Sequence, residues 1–135
     1  MDFKLRNGEQ VRTVKAVKAS ATVIEAGDLV ALSSGLIIKA VAGSTAIAWA
    51  PSGAGDGETL VDVTVGNDFE LVGTSDAAFA VTDKGAEVDM IVTSTVQYVD
   101  LGESTTDVFK VAIDQNAGTA SSTASVVVKI NKPLF

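Results

Sequence analysis

The stretch TLVDVTV, residues 59–65, alternates apolar and polar side chains without a break. In extended chain successive side chains point to opposite faces, so Val61, Val63 and Val65 share one face while Asp62 and Thr64 take the other. This predicts a half-buried β-strand. Working outward, the same grammar recurs: short runs rich in Val, Ile and Thr stand between clusters of Gly, Asp and Ser, and helical periodicity is hard to find. Strands are expected at 10–19, 29–32, 36–41, 46–50, 59–65, 69–73, 87–92, 96–101 and 124–130, and the class is all-β.

The turns between them can be read as well. In IEAGDLVAL (24–32), followed by SSGLIIKA, Gly27-Asp28 turns the chain into one strand and Ser33-Ser34-Gly35 turns it into the next. A soft repeat follows, since EAGDLVAL (25–32), GDGETLVDV (55–63) and DKGAEVDMI (83–91) each place a Gly with acidic neighbours just before an apolar strand. Its similarity is too weak for a solenoid. Short helical turns are expected in TSDAAFAVTDKG, capped by Ser75 or Asp76, and in GESTTDVFKV, where Ser104 precedes Asp107. The small polar run 116–125 reads as a mobile or partner-ordered loop, and Leu134 and Phe135 after Pro133 are expected to dock on a neighbour or on the domain's own core.

At 135 residues the chain fits one domain, divided here into a basic N-terminal arm or first strand over 1–19 and a β-rich body over 20–135. It has neither Cys nor His, which removes disulfides, thiolate and imidazole chemistry and the usual zinc ligands. The charged N-terminus lacks the apolar segment of a signal peptide, and no run approaches the roughly 20 apolar residues of a membrane span, so a soluble, unexported protein is expected. Charge is unevenly placed. Lys4, Arg6, Arg12, Lys15 and Lys18 against Asp2 and Glu9 leave residues 1–18 at +3, so the remainder carries −10 of the total −7. A basic arm on an acidic body suits an acidic partner and repels nucleic acid; otherwise the terminus is a solvated tail.

Chemistry-bearing patterns are sparse. Gly53, Gly55 and Gly57 lack the spacing of a dinucleotide or phosphate loop and precede a strand, not a helix. The pairs Asp56/Glu58, Asp68/Glu70 and Glu87/Asp89 each share a strand face, but none lies in a calcium-loop motif, and one Trp and one Tyr offer little to line a sugar cleft. Lys39, after a GD-V turn, invites comparison with the modified Lys of lipoyl and biotinyl domains, yet lies inside an apolar strand. No catalytic, cofactor or metal residue is assigned, and no enzyme is expected.

Taken in order, VIEAGDLVALSSGLIIKA, GETLVDVTVGNDFELVGT and DAAFAVTDKGAEVDMIVTSTVQYVDLGESTTDVFKV resemble the head decoration, or capsid cement, proteins of tailed bacteriophages, over roughly residues 20–111. The resemblance implies a compact β-tulip or small-barrel domain, with one or two short helices and an extended N-terminal arm. It further implies a homotrimer on the outer surface of the expanded capsid at threefold or quasi-threefold positions, stabilising the shell by cross-linking major capsid proteins, with no nucleic acid and no membrane partner. On this reading Phe3, Lys4, Leu5, Arg6, Arg12, Val14 and Lys15 form a capsid-binding arm by strand addition. Trp49 and Phe79 are candidates for trimer contacts or for core, and Phe69 and Val88 for core. The alternative is a carbohydrate- or ligand-binding β-module, such as a phage tail accessory.

Overall fold

The computed structural model describes residues 2–6, 9–115 and 124–135. The fold is all-β, with strands β1 (Lys4–Leu5), β2 (Thr13–Val17), β3 (Leu29–Ser33), β4 (Leu36–Lys39), β5 (Ala48–Trp49), β6 (Leu60–Thr64), β7 (Leu71–Thr74), β8 (Glu87–Thr93), β9 (Val96–Asp100), β10 (Phe109–Val111) and β11 (Ser125–Ile130). Each expected run overlaps one of these strands, and β3, β7 and β8 extend one residue beyond it. Strands β1 and β10 were not anticipated, because two or three residues are too few to display a period.

The strands build two layers around two cores. Six form an antiparallel sheet in the order β1-β7-β11-β10-β8-β9. This sheet curls until Ser75, just past β7, bridges Val99 on β9, so its long edge is closed against the chain itself. The other five strands ring a smaller core: β4-β3-β5 is one sheet, β2-β6 another, a Lys18–Ile37 bridge joins β2 to β4, and the Trp49 N–H donates to Thr64 Oγ1 across β5 and β6. That last bond explains why Thr64 is buried although the alternation of TLVDVTV points it outward. Strand β3 serves both layers. Leu29 and Ala31 enter the larger core with Leu71, Val99 and Phe109, while Val30 enters the smaller with Ile37, Val61 and Val63.

Turn chemistry follows the twist. Ser34 and Gly35, between β3 and β4, have φ of 50° and 79°, the primed two-residue turn that matches the twist of a hairpin. Ser94 and Thr95 do the same between β8 and β9 at 49° and 68°, without the Gly or Asn that such positions favour. Of the two expected helical turns, one appears as a 3-10 turn at Val81–Asp83, where Asp83 accepts from the Ala80 N–H; residues 104–107 form no helix but wrap the Asp89 carboxylate, which accepts N–H groups of Thr105, Thr106 and Asp107. The last residues dock on their own domain: Pro133 bridges Ile47, Leu134 packs on the smaller core, and the Gly66 N–H donates to the Phe135 carbonyl. The loop expected over 116–125 lies, apart from Ala124 and Ser125, outside the described residues.

Gln97 pins the layers together. Its buried amide accepts from the Leu29 N–H at 2.9 Å and donates to the Leu29 and Ala40 carbonyls at 2.9 and 3.0 Å, so a side chain of β9 pairs with β3 as a strand would. Replacing it with an apolar group takes the partner from the Leu29 N–H and the Ala40 carbonyl in a dry interior, each costing about 1–3 kcal/mol, while the Leu29 carbonyl keeps only the Ala40 N–H. Gln97→Leu is expected to lower unfolding free energy in urea by about 3 kcal/mol or more, and a loss below 1 kcal/mol would contradict this role. Replacing Ser94-Thr95 by Asn-Gly relieves a β-branched residue at positive φ, and an increase of about 1 kcal/mol is expected in the same measurement.

Candidate functional surface

The segment expected to reach outward is mostly folded inward. Phe3 is only 2% exposed: its ring stacks on Phe109 at a centroid distance of 5.5 Å, its N–H donates to the Gly27 carbonyl, and its carbonyl accepts from Trp49 Nε1. Gly73 makes the slot, since a Cβ there would fall 2.1 Å from the Phe3 ring. Leu5 packs against the same core, and the register Lys4–Val72 and Leu5–Leu71 makes β1 the last strand of the large sheet. Arg6 bonds Glu70 and Asp114, each at 3.0 Å, and these contacts raise its own pKa while the bond to Arg6 holds the Asp114 carboxyl below its ordinary value. For Phe3, Leu5 and Arg6 the expectation of a free arm is therefore corrected. A stacked aromatic, a buried leucine and a twice-paired guanidinium are already engaged within the chain.

Trp49 and Phe79 are corrected likewise, from trimer contacts to core. Both are buried in the larger cluster, and Trp49 spends its indole N–H on Phe3, leaving neither ring to a neighbour. Phe69 and Val88 are core as expected.

What remains outward is Lys4 on the edge strand of the large sheet and the face of the small ring. Lys4 and Arg12 are exposed, and Lys15 pairs with Asp62 across β2 and β6 at 2.9 Å. Val14 is partly exposed, whereas Lys18 is buried and donates to the carbonyls of Ala19 and Thr22. Beside the Lys15–Asp62 pair the register places Leu60 opposite Val17, and the Lys18–Ile37 bridge sets Leu36 next to Val17. These three side chains are 46%, 51% and 38% exposed, on three neighbouring strands whose opposite faces carry the buried Val61 and Ile37. The result is an unbroken apolar strip. Sequence reading missed it because strand neighbours 43 or 19 residues apart cannot be seen as one surface; the signal available was Val17 on the same face as Lys15 in TVKAV.

The acidic pairs have structural duties. Glu58 accepts from the Gly55 N–H in the turn before β6, Glu70 holds Arg6, and the Ile24–Ala54 bridge straps the glycine cluster to the body. Burial pushes the Asp89 carboxyl up, but its three N–H donors outweigh that and leave its pKa below the ordinary value. Lys39 donates to the Thr95 carbonyl and lies 3.7 Å from the buried Asp28, so it is no projecting hairpin-tip lysine. Among the described residues no three acidic side chains cluster to hold a metal ion. A hollow of about 680 Å³ is an open trough along Lys110, Ile113 and Lys129 whose carboxylates, Glu70 and Asp114, are bound to Arg6.

Phe3→Ala is expected to cost about 3–5 kcal/mol in urea unfolding, and Lys4→Ala less than about 0.5 kcal/mol. Equal effects would mean that the segment is not part of the core. The chain matches no protein-family model, and neither curated proteins nor solved structures gave a match to it.

Proposed function

We propose that this chain is a non-enzymatic structural protein that seats, as a homotrimer, on the outer surface of an expanded tailed-phage capsid and stabilises the shell by cross-linking neighbouring major capsid proteins. The observation that carries the proposal is the apolar strip Leu60–Val17–Leu36 beside the basic side chains of β2 and the segment before it. Large apolar side chains gathered on adjacent strands mark surfaces that other proteins cover. The all-β fold and the resemblance of its turn-and-strand order to decoration proteins support the same reading. Docking by a detachable arm is replaced here by docking of a preformed face: the apolar strip supplies burial, and the exposed Arg12 guides approach to an acidic partner. A trimer engages several capsid subunits at once, so modest contacts act at high effective concentration. Binding only the expanded lattice stabilises that lattice by mass action.

Removing residues 1–18 would extract Phe3 from the core and so would not test binding. The informative variant is Val17→Ser with Leu60→Ser, compared with the parent chain by co-sedimentation with expanded and unexpanded capsids. The parent is expected to pellet with expanded capsids alone, and the double variant to bind at least about tenfold more weakly at unchanged thermal stability. Equal binding to both capsid forms, or undiminished binding by the double variant, would refute the proposal. Sedimentation with an insoluble polysaccharide in place of capsids would point to the ligand-binding alternative.

A further inference from the structure

We propose that the closure of the six-stranded sheet is a proton-operated latch, in which a proton on Asp100, given in a hydrogen bond to Asp76, holds β9 shut and its loss loosens the seam. The latch does not depend on what the outer face binds. It occupies the seam where the chain after β7 meets β9: Ser75 bridges Val99, the Asp76 N–H donates to the Val99 carbonyl at 2.9 Å, and the Leu101 N–H donates to Asp76 Oδ1 at 3.1 Å. Asp76 thereby satisfies both a carbonyl and an N–H on an edge that would otherwise be open. Its carboxylate also meets that of Asp100, which is 8% exposed.

Two carboxyl groups in hydrogen-bonding contact need a proton between them, because two carboxylates repel and neither can donate. Among the described residues, the groups that act most strongly on Asp100 include no basic side chain. Asp100 faces Asp76 from the seam, Asp89 as its cross-strand partner on β8, and Glu103 from the following turn, and it accepts from the Gly102 N–H. Asp107, in the same loop, is held by the Ser104 hydroxyl. Burial first, then the charge and hydrogen bond of Asp76, push the Asp100 pKa up to about 6. With a folded value above that of an exposed carboxyl, the closed seam is favoured at low pH, and this contribution is lost as pH rises through about 6. Asp89 runs the other way, losing its contribution only as pH falls below the ordinary carboxylate range. The seam is thus tightest in mildly acidic solution. Opening it exposes the Val99 carbonyl and the Leu101 N–H, the groups another strand would pair with.

The test is amide hydrogen exchange on the full chain between pH 4.5 and 7.5, corrected for intrinsic exchange, with a carboxyl titration of Asp100 by carbon NMR. Protection of the Asp76 and Leu101 amides is expected to fall by up to roughly a hundredfold across that range, while the Leu29 amide holds its protection. Asp76→Asn keeps the acceptor for Leu101 and gives Asp100 a donor, and Asp100→Asn does the converse. Each variant is expected to hold the seam closed at both pH values. Titration of Asp100 near 4, an equal loss at Leu29, or variants that keep the parent's pH dependence would each overturn the latch.

Discussion

Everything in this fold depends on joining two cores through one strand, and the buried amide of Gln97 is what makes the joint possible. Strand β3 has Leu29 and Ala31 in one core and Val30 in the other, so neither of its faces meets solvent at these positions. Its backbone near Leu29 must still be hydrogen-bonded where the small ring leaves off and the large sheet begins. A primary amide carries the same donor and acceptor as a peptide group, so a side chain can stand in for a missing strand. The larger core can then form against β3 without a continuous sheet running between the layers.

Much of this was legible in the sequence because β-structure with one buried face announces itself by alternation. Val61 and Val63, or Val126, Val128 and Ile130, declare their strands unaided. Position in the fold was a different matter. Lys4-Leu5 and Phe109–Val111 become strands only because neighbours far along the chain pair with them, and Phe3 is core only because Gly73 lacks a side chain. A charge count over residues 1–18 likewise says nothing about which cations are spent within the fold: Arg6, Lys15 and Lys18 all are, through Glu70 and Asp114, Asp62, and backbone carbonyls. Periodicity reports a residue's face, and long-range pairing decides what covers it.

The acidic excess has a comparable history. Asp89 organises a loop by accepting three N–H groups, Asp28 accepts the Glu25 N–H at the turn before β3, and Asp2 caps the Gln97 N–H at the edge of β9. In a fold with so little helix among its described residues and many tight corners, backbone N–H groups left over at strand ends need acceptors. Carboxylates meet that need strongly. Negative charge here is partly an instrument of turn-making, and the apolar strip across β6, β2 and β4 stands out because its residues have no such internal duty.

The stacking of Phe3 on Phe109 bears on how the chain reaches its native state. Residues 3–5 cannot settle until β7 and β10 exist, since their neighbours are Leu71, Val72, Gly73 and Phe109, and the Pro133–Ile47 bridge makes the smaller ring wait for Pro133 in turn. Pairings between such distant positions impose a large loop-closure entropy before any contact repays it, so folding is expected to be slow and cooperative. Until then β7 offers an unpaired edge that β1 will later cover. The N-terminal segment is in this sense a built-in guard against premature strand pairing between nascent copies.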